Sequence, residues 1–324
     1  MSHAIRLHQT GGPEVLCFEN VPEVPLKEGE VRIQQTWAGV NYVDVYHREG
    51  SYPLPLLPHG LGVEGAGRVV ETGPGVRHLQ VGDRVAYAGT PAGSYAEERV
   101  LPEHRLKKIP EGLSEESAAG AMLKGITAYM VLQSVGRVEK GQTVFIQAAA
   151  GGLGLILVQW ARFLGVKTIG TVSGHEKAKE ALALGLDHVI NYKAENFVEA
   201  TMDITQGRGV DLAIDGIGGE LLLRTLDLVR PFGHVVSVGQ VSGLTEPLDL
   251  LELGPRRSLT LSRPSSLRFM SDAKSYDLAT QALFEKMQAG LKIVSKHRYT
   301  LPEAKAAHRD LEAGKTSGSV LLKI

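Results

Sequence analysis

The chain of 324 residues exceeds the usual size of one domain, and its 43% hydrophobic and 22% charged content is that of an ordinary globular protein. Its 35 basic and 36 acidic side chains leave a net charge of −1, which excludes an electrostatic footprint for nucleic acid or an anionic membrane. The single cysteine, Cys17, excludes an internal disulfide and a thiolate metal cage, and fits a reducing compartment.

The N-terminal Met-Ser-His-Ala-Ile-Arg lacks a basic stretch followed by an apolar one, so it does not read as a signal peptide. No apolar run reaches membrane-spanning length; the longest candidate, around Leu153 to Trp160, is too short. A soluble, cytoplasmic protein is expected, with no membrane partner and no nucleic acid. The first third is punctuated by Gly and Pro. Val31–Thr36 alternates apolar and polar residues, and Gly67–Gly73 and Gly82–Tyr87 read as further strands closed by turns. Short strands at close spacing predict a barrel-like or sandwich β domain.

Near Leu123 the texture changes. Thr143–Ala148 is a continuous apolar run, as in a strand buried on both faces of a parallel sheet. A helix from Gly152 to about Leu164 follows, then a strand Lys167–Val172, a helix His175–Leu184 and a strand His188–Tyr192. The alternation continues through strand Val210–Asp215, a helix near Glu220–Val229, strand His234–Gly239 and a last candidate, Ser258–Ser262. This order predicts a doubly wound parallel sheet. Beyond Pro264 come a long helix over about Asp272–Ala289 and a strand Lys296–Leu301. A helix opened by Pro302 and Glu303 then ends near Gly314, and a final strand covers Ser319–Ile324. The tail is expected to return to the β domain.

The first strand of the sheet runs into Ala149-Ala-Gly-Gly-Leu-Gly154 and straight into a helix. This is a dinucleotide fingerprint with alanine at its first glycine. Gly151 lets backbone approach a pyrophosphate, Gly154 lets the helix pack on the strand, and the helix N-terminus presents free N–H groups. Small residues in a tight turn would explain the pattern alone; the strand before and the helix after make nucleotide binding the better reading. The second strand ends in Thr171-Val-Ser-Gly-His-Glu-Lys177, with Ser173 and Gly174 where NAD-binding domains carry an acid. Ser173 and Lys177 suit a 2′-phosphate and Tyr192 could close its pocket, so NADPH is the expected cofactor. Glu176 weakens the charge argument, and a solvated Lys177 is the bland alternative.

The chain resembles the zinc-independent quinone oxidoreductases of the medium-chain dehydrogenase/reductase superfamily, the zeta-crystallin-like group. The resemblance rests on Gly11–Leu16, Asn41-Tyr-Val-Asp-Val-Tyr46, Gly82-Asp-Arg-Val85, Lys124-Gly-Ile-Thr127, Ala148–Gly154 and Gly318-Ser319. It implies an α/β protein with a GroES-like β domain formed by both chain ends (1–123 and 268–324). A doubly wound parallel-sheet Rossmann domain that binds NADPH (124–267) would be inserted between them, with the active site in the cleft between domains. It further implies a homodimer or tetramer. Zinc-dependent relatives carry a catalytic cysteine where this chain has Asn41, and Gly-His-Glu where it has Gly62-Val63-Glu64. No metal site is therefore expected, and His47 and His59 are read as loop residues.

Without a metal, the site suits substrates that already accept hydride well, such as quinones and enones. Negative charge developing on the acceptor oxygen needs a donor, for which Asn41, Tyr46 and Tyr52 are candidates. The expected cofactor contacts are Asn41, Tyr46, Thr127, Ala150, Gly151, Gly152, Leu153, Gly170, Thr171, Ser173, Lys177, Tyr192, Gly216, Val238, Gly239, Arg263 and Ser319. They derive from the fingerprint, the carboxyl ends of the strands and the resemblance. Arg263 could pair with a phosphate or a carboxylate. The function expected is NADPH:quinone oxidoreduction on a small-molecule quinone. The alternatives are an alkenal or enone reductase and a non-catalytic nucleotide-binding protein of crystallin or RNA-binding type.

Overall fold

The alternation of the first third builds strands along one long ribbon. In the computed structural model, which describes residues 2–324, the strands of this region are β1 (Ser2–Leu7), β2 (Leu16–Val21), β3 (Glu30–Val40), β4 (His59–Gly60), β5 (Glu64–Thr72), β6 (Arg84–Ala88), β7 (Glu98–Pro102) and β8 (Lys107–Lys108). β1 pairs antiparallel with β2 and with β4. β3 carries β5 along one edge, and β7 along the first half of the other. Its last residues, Trp37–Val40, pair antiparallel with the C-terminal strand, Val320 opposite Val40. The sequence reading missed β1, β2, β4, β7 and β8, which are short or lack strict alternation because both faces are partly covered.

Two helices that the reading also missed frame this region: α1 (Tyr42–Glu49) and α2 (Glu115–Tyr129), the latter continuing into a π-helical turn at Met130–Val135. The chain divides into two units, one running to Ile126 and resuming at Met270 to Ile324, the other Thr127–Phe269.

The second unit is a six-stranded, all-parallel sheet. Its strands are β9 (Thr143–Ile146), β10 (Lys167–Val172), β11 (His188–Asn191), β12 (Val210–Asp215), β13 (Val229–Ser237) and β14 (Thr260–Ser262), in the spatial order β11-β10-β9-β12-β13-β14. Between them lie α3 (Gly152–Leu164), α4 (His175–Ala183), α5 (Phe197–Ile204) and α6 (Gly219–Leu226). The order reverses between β9 and β12, the point at which such sheets place ligands. One expectation is corrected: the helix read through Val229 ends at Leu226, and Val229 opens β13 opposite Val210. Burial beside Phe145, Val210 and Val235 draws Val229 into the sheet.

After α7 (Ser266–Ser271), the first unit resumes with α8 (Ala273–Gln288), β15 (His297–Thr300), α9 (Ala304–Glu312) and β16 (Val320–Lys323). Its core joins residues from both ends of the chain: Ile5, Leu7 and Leu16 pack with Leu301, Ala307 and Leu322.

A polar chain runs through this core and holds α1 to α9. The buried Arg48 guanidinium donates to both Glu312 carboxylate oxygens (2.7 and 2.8 Å), to the Gly11 carbonyl (2.9 Å) and to His308 Nδ1 (3.1 Å). Because Nδ1 accepts, Nε2 carries the proton and faces the Tyr95 hydroxyl at 3.2 Å, and Tyr95 in turn donates to Asp44 Oδ2 at 2.9 Å. Burial, with the Arg48 charge, pushes His308 down to about 3, so the ring stays neutral in this chain.

Glu312 keeps 29% of its side chain in water, so removing Arg48 leaves the Gly11 carbonyl and His308 Nδ1 without their donor rather than stranding a buried charge. Arg48→Met is expected to cost about 2–3 kcal/mol and to lower Tm by on the order of 5 °C in thermal unfolding. A variant melting with the parent would show that the Arg48–Glu312 pair contributes nothing net.

Candidate active site

In the second unit, β9 ends at Ile146 and the chain turns at Ala148, whose φ of 51° lies in the left-handed region. A non-glycine residue there stores about 1–2 kcal/mol of strain, a pattern common at ligand-binding turns. Ala149, at the position of the first fingerprint glycine, does not share this φ, so its methyl is tolerated; it is fully buried. Gly151 caps α3 in an extended conformation, leaving the N–H groups of Gly152 and Leu153 at the helix start. A Cβ on Gly154 would collide with the Ala148 carbonyl and the Ala149 backbone. The glycine is required for the helix to approach the strand. Gly170, on β10, is equally constrained: a side chain there would meet Ala149 and Leu186.

At the carboxyl end of β10, Thr171 accepts from the Ala148 N–H through its hydroxyl (3.2 Å) and from the Ala149 N–H through its carbonyl (2.9 Å), tying the glycine turn to the next strand. Ser173 and Gly174 then lead into α4. Lys177 sits in the first turn of that helix, where a cation opposes the dipole. Burial, then the positive charge of Lys193, lowers its pKa, against a smaller opposing effect of Glu180. Lys193 follows Tyr192 at the end of β11, and sequence reading had not selected it. Glu176 does not cancel this charge: it points to solvent and pairs with Lys179 at 3.2 Å.

β12 and β13 end side by side, with Asp215 opposite Ser237. Asp215 Oδ1 accepts from the N–H groups of Ile217 and Gly218, and Ser237 donates to Oδ2 at 3.1 Å. Gly216 and Gly239 approach so closely that a Cβ on Gly239 would overlap the Gly216 carbonyl. Val238 N donates to the Asp215 carbonyl at 2.8 Å. The Arg263 guanidinium reaches the same strand end. It donates to Ser237 Oγ (3.0 Å), the Gly239 carbonyl (3.4 Å) and Gln240 Oε1 (2.7 Å), clasping this strand end.

In the first unit, Asn41 caps α1 and is 7% exposed. Its backbone N–H donates to Asp44 Oδ2 at 2.8 Å, and its Nδ2 donates to Glu64 Oε1 at 2.8 Å. Glu64 is fully buried and also receives Lys124 Nζ at 2.7 Å. This carboxylate–lysine–amide cluster was invisible to sequence reading, since Glu64 and Lys124 lie on different elements. Tyr46 is buried, with its ring 5.1 Å from that of Tyr52 and 6.4 Å from that of Tyr42. The Tyr52 N–H donates to the Tyr46 carbonyl, and its own carbonyl meets His47 Nδ1 at 3.1 Å. His47 is thus a buried helical residue rather than a loop residue. Thr127 lies on α2, one turn after Lys124, and is buried. Ser319 is buried with its hydroxyl committed to the Gly120 carbonyl at 2.8 Å.

Residues 27–111 match the family model for the alcohol dehydrogenase GroES-like domain, and residues 152–279 that for zinc-binding dehydrogenase. Quinone oxidoreductase 1 of Escherichia coli (strain K12) is 38% identical over 99% of both chains. The chain belongs to the quinone oxidoreductases of the medium-chain dehydrogenase/reductase superfamily. A 2-haloacrylate reductase of a Burkholderia species is 41% identical, again over 99% of both chains. The crystal structure of Escherichia coli quinone oxidoreductase complexed with NADPH superposes with a TM-score of 0.96 at 37% identity, covering 99% of this chain and 100% of that one. The chain falls in the zinc-independent branch: an amide at Asn41 and an alkyl group at Val63 stand where zinc-dependent members present a thiolate and an imidazole. Among the described residues, no helix is long and apolar enough to cross a membrane.

The floor of the Asn41 site titrates near neutrality. Burial pushes the Asp44 carboxyl up to about 7, against the hydrogen bonds from Asn41 N–H and the Tyr95 hydroxyl. Its folded pKa lies above its unfolded value, so the folded chain binds this proton more tightly. The resulting stability is fully present below about pH 4 and is lost as pH rises through about 7. Denaturation of the parent and of Asp44→Asn across pH 4–8 should therefore show the parent gaining relative stability as pH falls, with a level difference above about pH 8. A difference that ignores pH would mean that Asp44 stays ionised throughout.

Proposed function

We propose that this chain is an NADPH-dependent quinone oxidoreductase that works in the cytoplasm as a homodimer. The observation that carries the cofactor choice is the end of β10, where Ser173 and the Lys177–Lys193 pair stand in place of an acid. Lys177, lowered first by burial and then by the charge of Lys193, gains from a dianionic 2′-phosphate that compensates both effects. The glycine-walled turn fits the rest of a dinucleotide: Gly151 and Gly154 leave room for backbone to approach a pyrophosphate, and Gly152 and Leu153 supply N–H groups. The bound nicotinamide would supply the hydride.

Asn41, Tyr46 and Tyr52, grouped around α1, are the side chains we assign to the reacting end, with Thr127, Gly216, Val238 and Gly239 toward the cofactor. The same hydride chemistry on a carbon–carbon double bond is the second reading, favoured by the relative that acts on 2-haloacrylate.

With 1,4-benzoquinone as acceptor, oxidation should be fast with NADPH and slow with NADH. Lys177→Ala should raise the KM for NADPH about tenfold to a hundredfold while barely changing that for NADH. Equal use of both cofactors by the parent would sink the assignment of this pocket. A higher kcat/KM on 2-haloacrylate than on quinone would favour the second reading.

Support for the homodimer comes from the edge of the parallel sheet. β14 is the terminal strand, and the segments beside it expose Phe232 (84%), Leu244 (80%) and Leu250 (76%). An open edge flanked by large apolar side chains is a place where a second copy can pair. Light scattering should give about twice the 34.8 kDa chain mass. Leu244→Asp with Leu250→Asp should give the single mass; a parent already monomeric at micromolar concentration would refute the assembly.

A further inference from the structure

The cluster behind Asn41 holds more than a structural cap. Glu64 opens β5 with its side chain completely buried, and every donor around it is accounted for: Asn41 Nδ2 (2.8 Å) and Lys124 Nζ (2.7 Å) on Oε1, and the Leu123 N–H (2.7 Å) on Oε2. Gly39 stands opposite on β3, where any Cβ would run into the carboxylate. The chain leaves that space empty of side chain so that Glu64 can reach the lysine and the amide. Asn41 is held twice, by Asp44 at its backbone and by Glu64 at its side chain.

An amide that donates to a carboxylate has one orientation. Its nitrogen faces the anion, its carbonyl Oδ1 closes the capping box with the Asp44 N–H and keeps a second lone pair, and donation to a charged acceptor polarises that carbonyl into a stronger acceptor. We propose that Lys124, acting through Glu64, is a positioning residue that presents the Asn41 carbonyl oxygen as a hydrogen-bond acceptor toward a hydroxyl or carboxamide N–H of the bound nicotinamide nucleoside. Asn41 then orients the hydride donor and does not stabilise the oxyanion of the acceptor, a role left to the tyrosines. The proposal rests on the functional reading above, since it needs a nicotinamide nucleotide at this site.

The role of Lys124 follows from charge. A carboxylate buried at 0% exposure without its ammonium takes up a proton rather than stand uncompensated. A protonated carboxyl donates as readily as it accepts, so the amide loses its reason to keep one orientation. Lys124→Met is therefore the informative change, because it keeps an unbranched stem of similar length and removes the ammonium with its charge and its hydrogen bond to Glu64.

The test is a double-mutant cycle on kcat, KM and NADPH affinity, the last followed by nicotinamide fluorescence. Lys124→Met should lower kcat about tenfold to a hundredfold through misplaced nicotinamide, Lys124→Arg should recover most of it, and Asn41→Ala should lower it similarly. In the Asn41→Ala background, Lys124→Met should then cost little, because the residue it acts through is gone. Equal losses in both backgrounds would overturn the proposal, as would an unchanged kcat in Lys124→Met.

If Lys124→Met fails to fold by circular dichroism, Lys124→Met with Glu64→Gln removes both charges together and carries the same cycle. A glutamine there both donates and accepts, so the loss in kcat should remain; full activity in that folded pair would refute the idea. Should the parent fail to oxidise NADPH with any quinone or enone, the functional reading falls first. The cycle is then judged on NADPH affinity, where coupled losses support the positioning role and additive losses overturn it.

Discussion

Two carboxylates held away from water govern the first unit of this protein. Glu64 and Asp44 are both fully buried, and each is tolerable only because of what surrounds it. Asp44 receives the Asn41 N–H and the Tyr95 hydroxyl, and Tyr95 is held by His308, which accepts from Arg48. Glu64 receives an ammonium, an amide and a backbone N–H. These donors come from different elements, so α1, α9, β5 and α2 are tied to one another by hydrogen bonds and charge as well as by apolar packing. A site built this way is rigid at Asn41, the residue gripped by both carboxylates.

The cofactor half depends on a different constraint, the closeness of backbone to backbone. Gly154 against Ala148 and Gly239 against Gly216 are backbone contacts that no side chain permits, and Gly170 leaves room for the Ala149 methyl. They draw α3 onto β9, and the ends of β12 and β13 onto each other, at the point where the sheet order reverses. An anion can then meet N–H groups directly, without intervening side chains. Charge enters only at the rim, with Lys177 and Lys193.

The parallel sheet was legible because strands buried on both faces read as unbroken apolar runs and helices with caps read as periods. β9 to β14 each lie within a few residues of the sequence expectation. The exception, Val229, followed an apolar stretch that suits either state, and its pairing with Val210 decided it. The first unit was less legible for two reasons. Its strands are short and partly covered on both faces, and its closing contacts join residues some three hundred positions apart, such as Val40 with Val320. The site shows the same split. The glycine turn and Lys177 lie on contiguous segments that announce themselves. Lys193 was hidden because its effect on Lys177 acts across two strands, and the Lys124–Glu64–Asn41 cluster because no local pattern marks an ion pair between a strand and a helix.

This last cluster bears on why a chain without zinc chemistry should keep Glu64 at all. Next to Val63, a buried glutamate serves no ligand set, and burying it would be costly with nothing to balance it. Lys124 balances it with a charge that comes from the protein itself. The replacement is not equivalent in kind. A metal offers an electrophile to the substrate oxygen, whereas an ammonium fully engaged by a carboxylate offers only order. In this chain an amide held by that carboxylate stands in place of the Lewis acid. A quinone, the acceptor of this family, carries the developing charge in its own conjugation.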